Sequence, residues 1–180
     1  MRRPYITLIR DPKEVFVSGF HFLPVVSGLG GCFSVEEWLE IALSPQSPAG
    51  SWAEHTNSFW AWRDRTNVLV LFFPEIIRDP RASIQRIADV MKVELTKAQL
   101  DKVQERCSHG HMKTHEDKFG PPVSSLVPKK KRAAMIREGK IGNSGELLSP
   151  AQKDFIDQFV LDGLDRLGSD FPYRETFMKK

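Results

Sequence analysis

Arg10 stands at the end of a short apolar run, Tyr5-Ile6-Thr7-Leu8-Ile9, directly before Asp11-Pro12. Asp is a favoured helix N-cap and Pro a favoured first-turn residue, so a helix starts here. A strand leading into a helix N-terminus offers free N–H groups and the positive end of a dipole to an anion. Arg10 adds a planar fork suited to phosphate. Ser18 lies eight residues further on, two helical turns along. There its hydroxyl meets a ligand that runs beside the helix. In open α/β sheets, ligands bind at the carboxyl ends of strands. Residue types and spacing thus point to a phosphate site. The plainer alternative is a surface Arg10–Asp11 pair with Ser18 as filler.

Two further clusters carry chemistry. Ile136-Arg137-Glu138-Gly139-Lys140-Ile141-Gly142-Asn143 joins an arginine fork to glycines, which let backbone approach an anion closely. By itself this stretch also reads as a flexible glycine loop. Cys107, His111 and His115 recur every four residues, a spacing that suits zinc on one helix face, although a fourth ligand is not evident. Lys129-Lys130-Lys131-Arg132 is either a nucleic-acid patch or a solvated run that adds positive potential for an anionic ligand. The net charge of +3 is too small to favour nucleic acid. No G-x-x-x-x-G-K-[ST] loop occurs in the chain.

The elements that position these residues follow from periodicity. Tyr5–Ile9 and Val68–Phe73 are near-continuous apolar runs, as expected of buried parallel strands. A helix from Asp11-Pro12 presents Val15, Phe16, Gly19, Phe20 and Leu23 and ends at Pro24 and the Gly28–Gly31 cluster. Ser34 with Glu37 forms a capping box for a second helix lined by Val35, Trp38, Leu39 and Ala42. Residues 44–50 form a loop, and an aromatic helix runs from about Trp52 to Arg65. Arg81–Met91, a Thr96-capped stretch to Val103, and a last helix from Ser149-Pro150 complete the pattern, with a loop over 118–134. In the last helix Phe155, Ile156, Phe159, Val160 and Leu164 share one side. The fold class is α/β with a parallel sheet flanked by helices. Only two strands are legible, fewer than such a sheet normally holds.

The segment Tyr5–Phe22 resembles the 3′-phosphate-binding segment of the cytosolic sulfotransferases, which use 3′-phosphoadenosine-5′-phosphosulfate (PAPS) as donor. Arg10 and Ser18 match, in identity and spacing, the Arg and Ser that bind the 3′-phosphate in that family. Val68–Pro80 is similar to the family's strand and turn whose Tyr contacts adenine, with Phe73 in its place. Cys107–Met112 resembles the adenine segment Thr-Ser-Phe-x-x-Met, retaining Ser108 and Met112. Ile136–Asn143 resembles the Arg-Lys-Gly-x-x-Gly-Asp motif that closes over the 3′-phosphate; Arg137, Gly139 and Gly142 match, and Glu138 replaces Lys.

The resemblance implies one partial sulfotransferase-like domain over residues 1–180, with a P-loop-like fold. It implies sulfuryl transfer from PAPS to a hydroxyl or amine of a small acceptor, with no metal. Arg10, Ser18, Phe73, Ser108, Arg137 and Gly139 are its expected cofactor-binding residues. The family's phosphosulfate loop and catalytic-histidine segment have no counterpart, so little or no activity is expected of the chain alone. A catalytically inactive nucleotide-binding or partner-binding relic is the alternative. Lys113-Thr114-His115 copies the catalytic string at the wrong place and reads as chance. The family's dimer motif is not preserved near Gly145–Asp154.

Two separated cysteines make no disulfide framework, so a reducing compartment is expected. The apolar stretch behind Met1-Arg2-Arg3 is too short for a signal sequence, and no run reaches membrane-span length. A soluble cytoplasmic protein without a membrane or nucleic-acid partner is the expectation.

Overall fold

Two apolar runs build the sheet. β1 (Tyr5–Ile9) and β2 (Val68–Phe72) pair in parallel, with Ile6 opposite Leu69 and Ile9 opposite Phe72. The computed structural model describes residues 3–27, 29–44, 47, 50–118 and 136–178. The basic run Lys129–Arg132 lies outside the described residues.

The Tyr5 amide donates to the Asn67 carbonyl at 2.8 Å, so Tyr5, Thr7 and Ile9 bond toward β2. Val70 and Phe72 therefore turn their main-chain groups to the outer edge of β2. That edge is blocked. Arg86 donates to the Val70 carbonyl (3.2 Å), the Phe72 amide reaches Glu75 Oε2 (3.5 Å), and Glu75 pairs with Arg86 (3.1 Å). Charged groups on an edge strand discourage further pairing. On β1, Thr7 and Ile9 are buried while Tyr5, Ile6 and Leu8 are exposed.

Asp11 caps α1 (Pro12–Val26), and Ser34 with Glu37 forms the expected capping box of α2 (Val35–Ala42). Pro24 was expected to end α1, but the helix continues through it to Val26. A proline near the last turn forfeits only one ladder bond, and the Ser27 amide closes the end on the Leu23 carbonyl. α3 covers Trp52–Trp60, shorter than the expected run to Arg65. Arg63 ends it by taking the Trp60 carbonyl (2.9 Å) while forking onto Asp170 (3.2 and 2.6 Å). Phe73 was expected in the second strand; it instead opens α4 (Phe73–Arg78), with Pro74 in the first turn. α5 (Pro80–Met91), α6 (Lys97–Arg106), α7 (His109–Thr114) and α8 (Pro150–Arg166) follow. Short 3₁₀ turns lie at Glu116–Lys118 and Asn143–Glu146.

The core joins Ile9, Phe16, Val17, Trp38, Leu39, Ala53, Ile156, Val160, Leu164, Phe171 and Tyr173. It draws on β1, α1, α2, α3, α8 and the C-terminal segment. α8 approaches α3 at Gly163, where a Cβ would lie 2.9 Å from Ala53 Cβ, so only glycine allows this packing. α4 and α5 pack on β2, and α6 packs on α5.

Candidate functional site

The turn after β1 is closed by protein groups. Asp11 Oδ1 accepts from the Lys13 amide at 2.9 Å. Lys13 is itself buried, and its ammonium pairs with Asp157 of α8 and lies 3.3 Å from Asp11. Tyr173 donates its hydroxyl to the same Asp157 oxygen at 2.5 Å. Burial pushes the Asp11 carboxyl above its ordinary value, against the pull of Lys13. Burial and then the bond to Asp157 push the Tyr173 hydroxyl well above its ordinary range, so it stays a neutral donor. Asp11, the expected N-cap, takes one amide of this helix start, that of Lys13. The Arg10 side chain and the flank of α1 remain available.

Arg10 ends β1, and its carbonyl accepts from Trp52 Nε1 at 3.0 Å. Its guanidinium lies 4.5 Å from the centre of the Phe73 ring. Nη2 is 3.4 Å from Glu14 Oε2, and the buried Nε donates to nothing among the described residues. A buried donor without a partner is costly and calls for explanation. Glu14 is buried too, and its other oxygen accepts from the Ser144 amide at 2.7 Å.

That bond brings in the second arginine. Arg137 Nη1 pairs with Glu146 (3.1 Å) and Glu138 (3.5 Å), and Asn143 donates to Glu138 at 2.6 Å. The segment lies along α7: Lys113 Nζ donates to the Arg137 carbonyl at 3.2 Å. Gly139 has φ +63°, and a Cβ there would sit 2.7 Å from His109 Cδ2. Glycine is required on both counts. A continuous relay thus runs Arg10–Glu14–Ser144, through the 3₁₀ turn, to Glu146–Arg137.

Ser18 lies one turn from the buried Glu14 on the same side of α1 and is itself exposed. Ser108 is the N-cap of α7, its Oγ accepting from the His111 amide at 3.3 Å. The expected sites fall into two linked groups. Arg10, Phe73 and Ser18 lie at α1 and α4, while Gly139 and Ser108 lie at the start of α7, on and beside His109, and Arg137 joins the two through Glu146 and Lys113.

Cys107, His111 and His115 do not share one helix: Cys107 ends α6, His111 lies in α7, and His115 is its C-cap. The two imidazoles stack at 4.3 Å, with His115 Nδ1 on the His111 carbonyl at 2.9 Å. Among the described residues, no group of three or more His, Cys, Asp or Glu side chains is placed to hold a metal.

Glu14, Lys13, Asp157 and Tyr173 were not singled out from the sequence. The signal was there for two of them. Lys13 stands three and four residues before Phe16 and Val17 in α1, and Asp157 three and seven before Val160 and Leu164 in α8, so both charges fall on buried sides. On the other face of α1, a cavity of about 480 Å³ is lined by Phe16, Leu23, Trp38, Trp52, Phe159 and Val160. Its tryptophans turn their N–H groups away, to the Phe16 (3.3 Å) and Arg10 (3.0 Å) carbonyls, leaving ring faces as walls.

A family model described as "Sulfotransferase domain" matches residues 3–168. The chain belongs to the sulfotransferase family. Human Sulfotransferase 1C2 is 26% identical over 154 residues, 86% of this chain and 52% of that protein. Amine sulfotransferase of Oryctolagus cuniculus is 22% identical over 171 residues, covering 94% and 56% respectively. The crystal structure of retinol dehydratase with androsterone and the inactive cofactor PAP superposes with a TM-score of 0.79 at 24% identity, over 96% of this chain and 50% of that one. This sulfotransferase-family chain therefore spans about half the length of the relatives it matches. Its α/β fold with a parallel sheet flanked by helices is the family's. No helix among the described residues is long and apolar enough to cross a membrane.

In this sulfotransferase-family chain His21 reports on the site. Its pKa is lowered, first by burial and then by the Arg137 charge, while Glu146 and Glu138 pull it upward. Replacing Arg137 by Gln leaves the two carboxylates unopposed, so the His21 pKa rises. An NMR titration of the imidazole protons measures this; an unchanged or lowered pKa contradicts the placement of Arg137 beside α1.

Proposed function

We propose that this chain forms the 3′-phosphate and adenine half of a PAPS site, for sulfuryl transfer to a hydroxyl or amine of a small molecule. The relay from Arg10 through Glu14 and Ser144 to Arg137 carries this reading. It ties both guanidinium groups to α1, Arg10 directly and Arg137 through the Ser144–Glu146 turn, and two forks on one flank would suit a doubly charged phosphate. The unpartnered Arg10 Nε is a donor that awaits an acceptor.

Arg10 and Arg137 would hold the 3′-phosphate, with the Ser18 hydroxyl donating from the same flank. Phe73 would offer its ring to the base, and Gly139 would let the main chain come close. Ser108, committed to its cap, would reach the nucleotide by exchanging that bond or through its backbone. PAPS supplies the sulfuryl group and a phosphate leaving group. The chain's own contribution is to bind and orient the nucleotide, which is the larger part of transfer catalysis by positioning. A hydroxyl or amine acceptor fits the company of relatives named for amines and for 3-alpha-hydroxysteroids. One observation favours the second reading, nucleotide binding without chemistry: Glu138 stands where the family has Lys, held by Asn143, and lowers the positive potential beside Arg137.

Titration calorimetry with adenosine 3′,5′-bisphosphate and with adenosine 5′-monophosphate tests the proposal. We expect saturable binding of one bisphosphate and at least about 100-fold weaker binding of the monophosphate, which forfeits the contacts of the 3′-phosphate to both Arg10 and Arg137. Equal affinity for the two, or no binding of either, overturns it.

A further inference from the structure

The C-terminal segment Phe171–Phe177 reaches the β1–α1 turn by two separate routes, both through Tyr173. Along the first, the Tyr173 hydroxyl donates to Asp157 at 2.5 Å, and Asp157 in turn pairs with Lys13, in the first turn of α1. Along the second, the Tyr173 ring packs edge-on against Trp52 at 5.8 Å, and Trp52 Nε1 holds the Arg10 carbonyl at 3.0 Å. Phe171 and Phe177 brace the same indole at 5.8 and 6.0 Å.

Lys13, Asp157 and Tyr173 are 7%, 7% and 1% exposed. Burying an ammonium and a carboxylate together is expensive, and apolar residues of similar volume would serve stability as well or better. The arrangement does something an apolar core does not. Ionic and hydrogen-bonded contacts have fixed geometry, so they set the direction of the segment on which they act. Here that segment is residues 10–13, with Arg10 at its head. A guanidinium fork needs its backbone placed to within a fraction of an ångström to meet a phosphate.

We infer that Tyr173 and Asp157 are positioning residues for the nucleotide site: they never touch the ligand but hold Arg10 in its binding direction through Lys13 and Trp52. This inference rests on the proposed binding of the 3′-phosphate by Arg10. It assigns a role in donor recognition to α8 and the C-terminal segment, which hold none of the expected cofactor-binding residues.

Tyr173→Phe isolates the first route, because it removes the hydroxyl and keeps the ring against Trp52. Leu100→Ala is the companion variant: Leu100 is buried in α6, away from this network, and its truncation lowers stability without touching the turn. We expect Tyr173→Phe to weaken adenosine 3′,5′-bisphosphate about tenfold in titration calorimetry, the scale of a small misplacement of a binding group. Leu100→Ala should leave the affinity within about twofold despite a lower melting temperature. The second readout is the Arg10 Nε–Hε signal in ¹H–¹⁵N NMR of the ligand-free protein. It should shift or broaden in Tyr173→Phe and stay in place in Leu100→Ala.

Unchanged affinity and an unchanged Arg10 signal in Tyr173→Phe overturn the inference. So does an equal loss of affinity in both variants, which would mark a general effect of stability. If the wild-type chain binds no bisphosphate, the proposed function fails, and the Arg10 signal alone decides whether Tyr173 orients that side chain.

Discussion

Arg10→Ala is expected to weaken adenosine 3′,5′-bisphosphate by about 100-fold or more in titration calorimetry, since on the proposed reading the phosphate loses a charge-assisted fork and not a single neutral bond. The surroundings of Arg10 enlarge the effect. Glu14 is buried and faces Arg10 at 3.4 Å. With the guanidinium gone, its carboxylate keeps only the Ser144 amide, at 2.7 Å, and presents uncompensated negative charge to the incoming phosphate. Two companion variants sharpen the test. Arg10→Lys keeps the charge but loses the fork and the flat face against Phe73, so its affinity falls between the two. Adding Glu14→Gln to Arg10→Ala recovers part of the loss, because a like charge is removed. Affinity of Arg10→Ala within about threefold of wild type would sink the assignment of Arg10 to the phosphate, since each such contact is worth more than that.

Asp157→Ala is expected to lower the unfolding free energy by about 3–5 kcal/mol, because it strands the buried Lys13 ammonium and leaves the Tyr173 hydroxyl without its acceptor. For a chain of this size that is a fall in melting temperature of about 10 °C. Asp11 remains 3.3 Å from Lys13 and limits the damage. The double variant Lys13→Met/Asp157→Leu should recover the part lost by stranding the Lys13 ammonium, since apolar replacements of a buried pair are often neutral, while the Tyr173 hydroxyl still lacks its acceptor. Chemical denaturation separates the cases. A loss below about 1 kcal/mol in the single variant would place Lys13 in contact with water and dissolve the argument for a dry network. The double variant also separates stability from function: it regains part of the first and, with no directional contacts on the turn, not the full nucleotide affinity.

Much of the local structure was legible because it depends on neighbours in the chain. Ser34 with Glu37, Thr96 with Gln99 and Ser149 with Gln152 form capping boxes whose partners are three residues apart. The two strands show the same locality, as continuous apolar runs. One misreading came where a distant group intervened, and two at helix ends. Arg63, held by Asp170, ends α3 early. Pro24 stays helical because at that place the lost bond is one the helix end can spare. Spacing alone put Cys107, His111 and His115 on one face, but the Ser108 cap starts a new helix between them.

The same division runs through the candidate site. The sequence by itself determined which residues are candidates for phosphate chemistry: Arg10 and Ser18 by type and spacing to a strand end and a helix turn, Arg137 and Gly139 by type, and all four by the family resemblance. It could not say what faces them. The helix N-terminus inferred from Asp11-Pro12 is capped by Asp11 at the Lys13 amide and backed by Asp157, which lies 144 residues from its partner Lys13. Glu14 joins Arg10 to the Arg137 turn across 130 residues, through the Ser144 amide. Such pairings leave no periodicity in the chain, since either partner alone is only a charge on a helix. Tertiary packing decided them by removing water, and in that dry setting an ionised group is tolerated only where an opposite charge or a donor meets it.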